Sequence, residues 1–81
     1  MDLTVKLHEA VEGDEVLATA SLDALGEHYE AEGRAPRGGW TKTEAGVVPS
    51  GLALARALRS LEAAVMETVH EHIDRAATDD V

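Results

Sequence analysis

Five of the seven basic side chains fall into two short groups whose chemistry suits phosphate binding. Arg34, Arg37 and Lys42 lie in one stretch, and Arg56 and Arg59 are three positions apart in a helical pattern. Guanidinium and ammonium groups bind phosphate oxygens, which contribute much of the recognition of structured RNA. A fold that brings both groups to one end would form a phosphate-binding surface. Otherwise Arg56 and Arg59 are solvated helix residues.

Histidines and carboxylates near the C-terminus are residue types that can bind a metal ion, but their spacing does not suit a metal site. His70 and His72 are two positions apart, which on a helix turns their imidazoles about 200° from each other. His70 and Asp74 share a helical face, but two ligands do not make a metal site. No serine has a base at an activating spacing, and no glycine pair matches a phosphate-binding motif. We therefore expect no enzyme, metal, cofactor or small-molecule substrate.

The element that must position these residues is one helical pattern over residues 50–75. Pro49 suits a first helical turn, and the Ser50 hydroxyl is predicted to cap the helix. A helix of this length exceeds a small sheet, so its far end is expected to project and to contact another surface. The apolar stripe that recurs every three or four residues is Leu54, Leu58, Leu61, Val65, Val69 and Ile73.

Three residues are candidate contacts for a second subunit. Val69 and Ile73 lie on the projecting end of the stripe. Trp40 follows two glycines in a polar loop, and tryptophans contribute strongly to interface energetics. The alternative for Trp40 is a lid over the open edge of a small core.

Alternation of apolar and polar residues predicts three strands before the helix. Residues 3–7 and 16–22 alternate on either side of Gly13, which can adopt a positive φ in a hairpin turn. A helix over residues 16–25 is the alternative, but it would leave the first strand unpaired. Residues 28–35 form the third strand, after a turn that pivots on Gly26.

Small residues on the inner side of the third strand predict close packing against the helix. We therefore predict one α+β domain over residues 1–76: a three-stranded antiparallel β-meander, order 1-2-3, with one long C-terminal α-helix packed on one face. Residues 77–81 are predicted to be a frayed tail. The predicted core is Leu3, Val5, Leu7, Val16, Ala18, Ala20, Leu22, Tyr29 and Ala31 against Leu54, Leu58, Leu61, Val65 and Val69.

The composition describes a small acidic chain without cysteine. It has 81 residues, 16 acidic and 7 basic side chains, and a net charge of −9. Such a surface repels polyanions on average, so RNA binding would require the basic residues to converge. The lack of cysteine fits a reducing cytoplasm, where we expect the protein, and no apolar run suggests a signal peptide or a membrane span.

The order of several segments resembles a known family. Residues 18–22 read Ala-Thr-Ala-Ser-Leu, and residues 31–35 read Ala-Glu-Gly-Arg-Ala. A glycine-rich connection, a Val48-Pro49 entry and Leu-Ala-Leu-Ala-Arg-Ala-Leu at residues 52–58 follow. Together they resemble small uncharacterised actinobacterial proteins with a β-β-β-α fold. That fold is similar to double-stranded-RNA-binding domains (dsRBD-like) and to ribosome hibernation promoting factors.

The resemblance, which extends over residues 3–74, implies a function. Members of that family are associated with dormancy and stress responses and form homodimers. It therefore implies a non-enzymatic stress or dormancy protein that acts on the ribosome or on structured RNA as a hibernation factor does. The alternative, suggested by open sheet edges and a projecting helix, is a homodimeric protein-interaction module without nucleic-acid affinity.

Overall fold

The computed structural model describes residues 2–79, with side chains through residue 77. The elements are β1 Val5–Glu12, β2 Glu15–Ala24, β3 Glu27–Pro36 and α1 Val48–Asp79, with a short 3-10 turn at Glu44–Gly46. The three antiparallel strands form one sheet in the order β1-β2-β3, and the long helix packs mainly on β2 and β3. The predicted α+β meander with a C-terminal helix is confirmed.

Two tight turns connect the strands. Gly13 has a φ of +57° and closes the hairpin between β1 and β2. Glycine adopts this conformation without steric cost, so the predicted turn is confirmed and the helical alternative for residues 16–25 is wrong. The second turn consists of Leu25 and Gly26, with φ of +55° and +74°. Positive φ is uncommon for a leucine.

The inner face of β2 and β3 is made of small side chains at the centre. Its cross-strand pairs are Val16–Ala35, Ala18–Gly33, Ala20–Ala31 and Leu22–Tyr29. A Cβ atom on Gly33 would overlap the carbonyl oxygen of Ala53 and the amide nitrogen of Ala57. The backbones of β3 and α1 therefore touch at this point, as the small residues of the third strand predict.

The predicted core is wrong for the first strand. Leu3, Val5 and Leu7 are 57, 41 and 48 % exposed. They lie on the inner side of the sheet, since Val5 pairs with Leu22 and Leu7 pairs with Ala20. A helix about 10 Å across covers only about two strands at a spacing of about 4.8 Å, so the third strand of this sheet stays uncovered.

The buried side of α1 is rotated away from the predicted leucine stripe. Ala53, Ala57 and Leu61 are 0, 0 and 4 % exposed, and Thr68 continues that buried line. Leu58, which was expected in the core, is 42 % exposed. Three further stripe residues are half-buried: Leu54, Val65 and Val69. Because the helix backbone must touch β3 near Gly33, Ala53 and Ala57 point at the sheet there and Leu58 does not.

Both ends of the helix differ from the prediction. The helix begins at Val48, and the Gly51 N–H donates to the Val47 carbonyl oxygen at 3.0 Å. Ser50 is therefore not the N-cap; its hydroxyl donates to Glu9 instead. At the other end residues 77–79 are helical, and residues 80 and 81 of the predicted frayed tail lie outside the described residues.

The helix is longer than the sheet that it covers. At about 1.5 Å per residue its 32 residues span about 48 Å, whereas a ten-residue strand spans about 33 Å. Residues 70–77 are exposed throughout, which is the overhang that the sequence predicts. The overall extents of 60 × 23 × 19 Å reflect this projection.

Candidate interaction surface

Two hydrogen bonds show how α1 is oriented on the sheet. The Ser50 hydroxyl donates to the Glu9 carboxylate on β1 at 2.5 Å. On the other flank, Arg56 Nη1 donates to the Arg34 carbonyl oxygen on β3 at 2.6 Å. Residues four apart share a helical face, so the side of α1 that follows Ser50 toward Leu54 and beyond faces β1.

An apolar strip lies between that side of the helix and β1. On the strand side, Leu3, Val5, Leu7 and Val11 are 41–58 % exposed on the face that also bears the helix. Glu9 is the one charged side chain among them, and its carboxylate is hydrogen-bonded to Ser50. We call this surface the open face; it consists of Leu3, Val5, Leu7, Val11, Leu54, Leu58 and Val65.

A second apolar surface lies where the helix passes the end of the sheet. An open depression of about 350 Å³ is lined by Leu25, Thr68, Val69, His72, Ile73 and Ala76. Leu25 and Ile73 are 62 and 57 % exposed. The predicted contact residues Val69 and Ile73 are therefore brought together with Leu25, which sequence reasoning missed. The sequence feature that could have indicated Leu25 is its position next to Gly26, in a turn that normally takes asparagine, aspartate or glycine there.

Trp40 lies in the loop between β3 and the helix and is half-buried. Its indole Nε1–H donates to the Pro36 carbonyl oxygen at 2.8 Å, so its polar group is satisfied within the chain. Next to it, the Thr41 N–H and the Glu44 carboxylate are 2.9 Å apart, and the Glu44 N–H donates to the Thr41 hydroxyl. The backbone and side-chain hydrogen bonds from Thr41 lower the pKa of Glu44. The contact of Trp40 with a second subunit stays a prediction.

The structure brings together only part of the predicted basic group. Arg34 lies on the outer face of the sheet, with Nη1 3.2 Å from Glu12 and Nη2 3.7 Å from Glu32. The guanidinium of Arg56 reaches the Arg34 backbone, and Arg37 Nη1 lies 3.3 Å from the Gly13 carbonyl oxygen. The charge of Arg34 is thus compensated by two carboxylates, and Arg56 covers the outer edge of β3.

The other two predicted cations point into solvent. Lys42 lies in the loop, and Arg59 lies one turn after Arg56 on α1. Both are exposed, and neither forms an ion pair with any side chain from residue 2 to residue 77. Arg37 and Arg56 bond only to backbone carbonyl oxygens, so among the described residues Arg34 is the one predicted phosphate contact whose charge is paired with carboxylates.

The histidines divide between the sheet and the helix. His28 Nδ1 is 2.6 Å from the Asp23 carboxylate, and Nε2 is 3.6 Å from Glu30. The hydrogen bond with Asp23 raises the pKa of His28, and the charges of both carboxylates act in the same direction. His72 Nδ1 lies 2.9 Å from the Thr68 carbonyl oxygen, which only accepts hydrogen bonds, so Nδ1 carries a proton.

The described residues form neither a metal-binding cluster nor a helix suited to cross a membrane. Within residues 2–79, no three histidine or carboxylate side chains come close enough to hold a metal ion. Over the same part of the chain, no helix combines the length and the apolar character that a membrane crossing requires.

Comparison with known proteins adds no relative to this description. No model of a protein family, no curated protein and no solved structure matches the chain. The functional interpretation therefore depends on the surfaces themselves.

Proposed function

We propose that the protein is a non-enzymatic, homodimeric protein-interaction module whose open face is buried between two copies. One observation supports this above all: Leu3, Val5, Leu7 and Val11 lie on the helix-bearing side of the sheet and are 41–58 % exposed. Burial of apolar surface is worth about 25 cal/mol per Å². A continuous apolar patch of this kind is characteristic of association sites.

The distribution of charge agrees with this proposal. The chain carries a net charge of −9, yet Glu9, whose oxygen accepts the Ser50 hydrogen bond, is the one charged side chain on the inner side of β1 between Leu3 and Val11. Interface centres are depleted in charged residues, as the inner side of β1 is. The like charges of two copies repel one another mainly at the rim, where solvent and salt screen them.

A stress or dormancy factor that acts on the ribosome or on structured RNA in the cytoplasm is the second candidate. The resemblance of the sequence implies it, and the contact of Arg56 with the Arg34 backbone favours it because two of the cations adjoin. Two carboxylates flank Arg34, so Arg37, Lys42, Arg56 and Arg59 would have to contribute most of the phosphate contacts. This is a smaller positive surface than the sequence predicts.

Analytical ultracentrifugation of matched variants tests the first proposal. Leu7→Thr removes apolar surface from the open face and introduces a β-branched residue, which favours the strand. Val47→Thr is the control, because Val47 is 71 % exposed outside that face. We expect the Leu7 variant to dissociate at concentrations at which the wild type and the control remain dimeric. A monomeric wild type at high concentration contradicts the proposal.

Ribosome pelleting tests the second candidate with a charge reversal. Arg56→Glu combined with Arg59→Glu should abolish ribosome association if these cations contact phosphates. The same pair should leave the dimer intact, since neither residue belongs to the open face. Strong pelleting of the wild type that weakens with salt would favour the RNA-directed function over the interaction module.

A further inference from the structure

We infer that two copies of the chain pair through their β1 strands, which run antiparallel with His8 of each copy beside the two-fold axis. Each copy contributes three strands, so the pair forms one continuous sheet in the order β3-β2-β1-β1-β2-β3. This inference rests on the proposed homodimer and adds its geometry. It identifies the backbone edge that meets the second copy and the register of the two strands.

One hydrogen bond at the end of the sheet shows which way the backbone of β2 points. The Arg37 N–H donates to the Asp14 carbonyl oxygen at 2.7 Å, so Asp14 directs that oxygen toward β3. Backbone groups alternate between the two sides of a strand, so the next residue, Glu15, directs its own toward Glu12 of β1. Along β1, every second residue back from Glu12 therefore bonds to β2. The residues between them point their N–H and C=O groups away from β2, and we call them the free edge: Val5, Leu7, Glu9 and Val11.

The backbone of the free edge has no hydrogen-bond partner among the described residues. One hydrogen bond from elsewhere in residues 2–79 reaches these positions, and it joins the Ser50 hydroxyl to the Glu9 side chain. The strand contains no proline or glycine, and its register with β2 is unbroken from Val5 to Glu12. It therefore lacks the irregularities that normally keep a second strand from an edge.

The opposite edge of the sheet is blocked in its C-terminal half. Arg56 donates to the Arg34 carbonyl oxygen at 2.6 Å, and the Trp40 indole donates to the Pro36 carbonyl oxygen at 2.8 Å. Pro36 also lacks an N–H group. A strand that paired with β3 would have to displace both side chains, so β1 of one copy pairs with β1 of the other. The dimer then ends in two blocked edges, and assembly stops at two copies.

The register with His8 at the axis pairs every residue of the free edge. Val5 lies opposite Val11, and Leu7 lies opposite Glu9, once on each side of the axis. Each of these pairs exchanges two backbone hydrogen bonds, so the dimer gains about eight. The open faces of the two copies then adjoin, and Val5 and Val11 cover each other across the new strand pair.

Charge complementarity favours this register over its neighbours. Lys6, on the outer side of the sheet, lies diagonally from Glu12 of the second copy, within reach of a salt bridge. A shift of the axis to Glu9 faces Lys6 with Glu12 directly, but it also sets the two Glu9 carboxylates against each other at the centre. A shift to Leu7 brings Glu12 opposite Asp2. Like charges directly opposite each other destabilise a strand pair, so both shifts are unfavourable.

Single cysteines test the register, since the chain has none of its own. In the inferred pair the two His8 Cα atoms lie about 4.5 Å apart, within the range of a disulfide, and the two Ala10 Cα atoms lie about 14 Å apart. After mild oxidation of the folded protein, His8→Cys should therefore run as a covalent dimer on a non-reducing gel, and Ala10→Cys should not.

A mixture of two variants extends this test to residues that face each other. Lys6→Cys and Ala10→Cys should not cross-link alone, but they should cross-link when mixed and allowed to exchange subunits, because Lys6 lies opposite Ala10. A dimeric His8→Cys protein that does not cross-link overturns the inferred register. An Ala10→Cys protein that cross-links by itself overturns it as well.

Proline at Leu7 separates strand pairing from apolar contact. Leu7→Pro removes one N–H of the free edge, which the β1–β2 ladder does not use, and keeps more apolar surface than Leu7→Ala. The symmetric dimer loses two hydrogen bonds in this way. Strand pairing therefore predicts a dissociation constant for Leu7→Pro that exceeds that of Leu7→Ala by about tenfold or more.

The outcomes distinguish this geometry from the homodimer itself. Circular dichroism melting shows whether both Leu7 variants are folded. Equal dissociation constants for the two folded variants overturn strand pairing and leave the proposed homodimer in place. A wild type that stays monomeric overturns the proposed function and this inference together.

Discussion

Gly33 on β3 and Ala53 on α1 are in backbone contact, because a methyl group on Gly33 would overlap the Ala53 carbonyl oxygen. Ala18, opposite Gly33 on β2, and Ala57 on the helix are fully buried beside this contact. The small residues let α1 lie low over β2 and β3 and fix it on one side of the sheet. The open face follows from that placement.

The contact leaves no room for a side chain at Gly33. Gly33→Ala should lower the free energy of unfolding by about 1–3 kcal/mol or more, because β3 or α1 must shift to make room for the methyl group. Gly51→Ala is the control: its added Cβ meets no atom within 4 Å, and alanine favours the helix. Urea denaturation measures both, and an unchanged Gly33→Ala variant would contradict the close contact.

Tyr29 has a buried hydroxyl that costs stability. The residue is 6 % exposed, and its hydroxyl oxygen has no hydrogen-bond partner among the described residues. An unsatisfied buried polar group costs about 1–3 kcal/mol. Tyr29→Phe should therefore leave thermal stability unchanged or raise it. A clear loss of stability in the phenylalanine variant would show that the hydroxyl has a partner in solution.

Leu25 is expected to lower the stability of the fold and to strengthen the dimer. Its φ of +55° strains the β2–β3 turn, whereas asparagine tolerates that conformation. Leu25→Asn is expected to raise the melting temperature and to weaken the dimer, because it removes an exposed apolar side chain beside Ile73. Gly26→Asn, at the neighbouring turn residue, is the control that removes no apolar surface. A Leu25→Asn variant that melts at a lower temperature than the wild type would argue against strain at this turn.

The ion pair of His28 should give stability a defined pH dependence. Its pKa is raised above the ordinary 6.5, first by the hydrogen bond with Asp23. The folded state therefore binds the proton more tightly than the unfolded state. The stabilisation is fully present below pH 6.5 and is lost as the pH rises through the raised pKa.

Comparison of the wild type with the His28→Asn variant isolates the pH-dependent contribution of this ion pair to stability. The difference in melting temperature between wild type and variant should be larger at about pH 5.5 than at about pH 8.5. An NMR titration of the His28 ring should give a midpoint above that of a model histidine. A midpoint at or below 6.5 would show that the Asp23 contact is not maintained in solution.

The strands and turns could be predicted because their signals are local. Alternation around Gly13 indicated the hairpin, and the small side chains at Ala31, Gly33 and Ala35 indicated close helix packing. Alternation shows which side of a strand is apolar, but not whether another element reaches it. For this reason the sequence predicts Val5 and Leu7 in the core, although the helix stops short of them.

The helix and the basic residues show a different limit of sequence reasoning. The leucine stripe marked the most apolar side of α1, but backbone contact at Gly33 turned Ala53 and Ala57 toward the sheet. The partners of Arg34 depend on cross-strand pairing: Glu12 on β1 is brought within 3.2 Å by the fold alone. The periodicity of one segment predicts neither the rotation of the helix about its axis nor which residues become neighbours across strands.

Sedimentation equilibrium of the wild type across a salt series tests the central claim most directly. Two copies with a net charge of −9 each repel one another, while burial of the open face is insensitive to screening. Raising the salt concentration from about 50 mM to about 500 mM shortens the Debye length from about 14 Å to about 4 Å. The dimer dissociation constant should therefore fall across this series. A chain that is monomeric throughout this series, or a dimer that dissociates as salt is added, would contradict association through an apolar face.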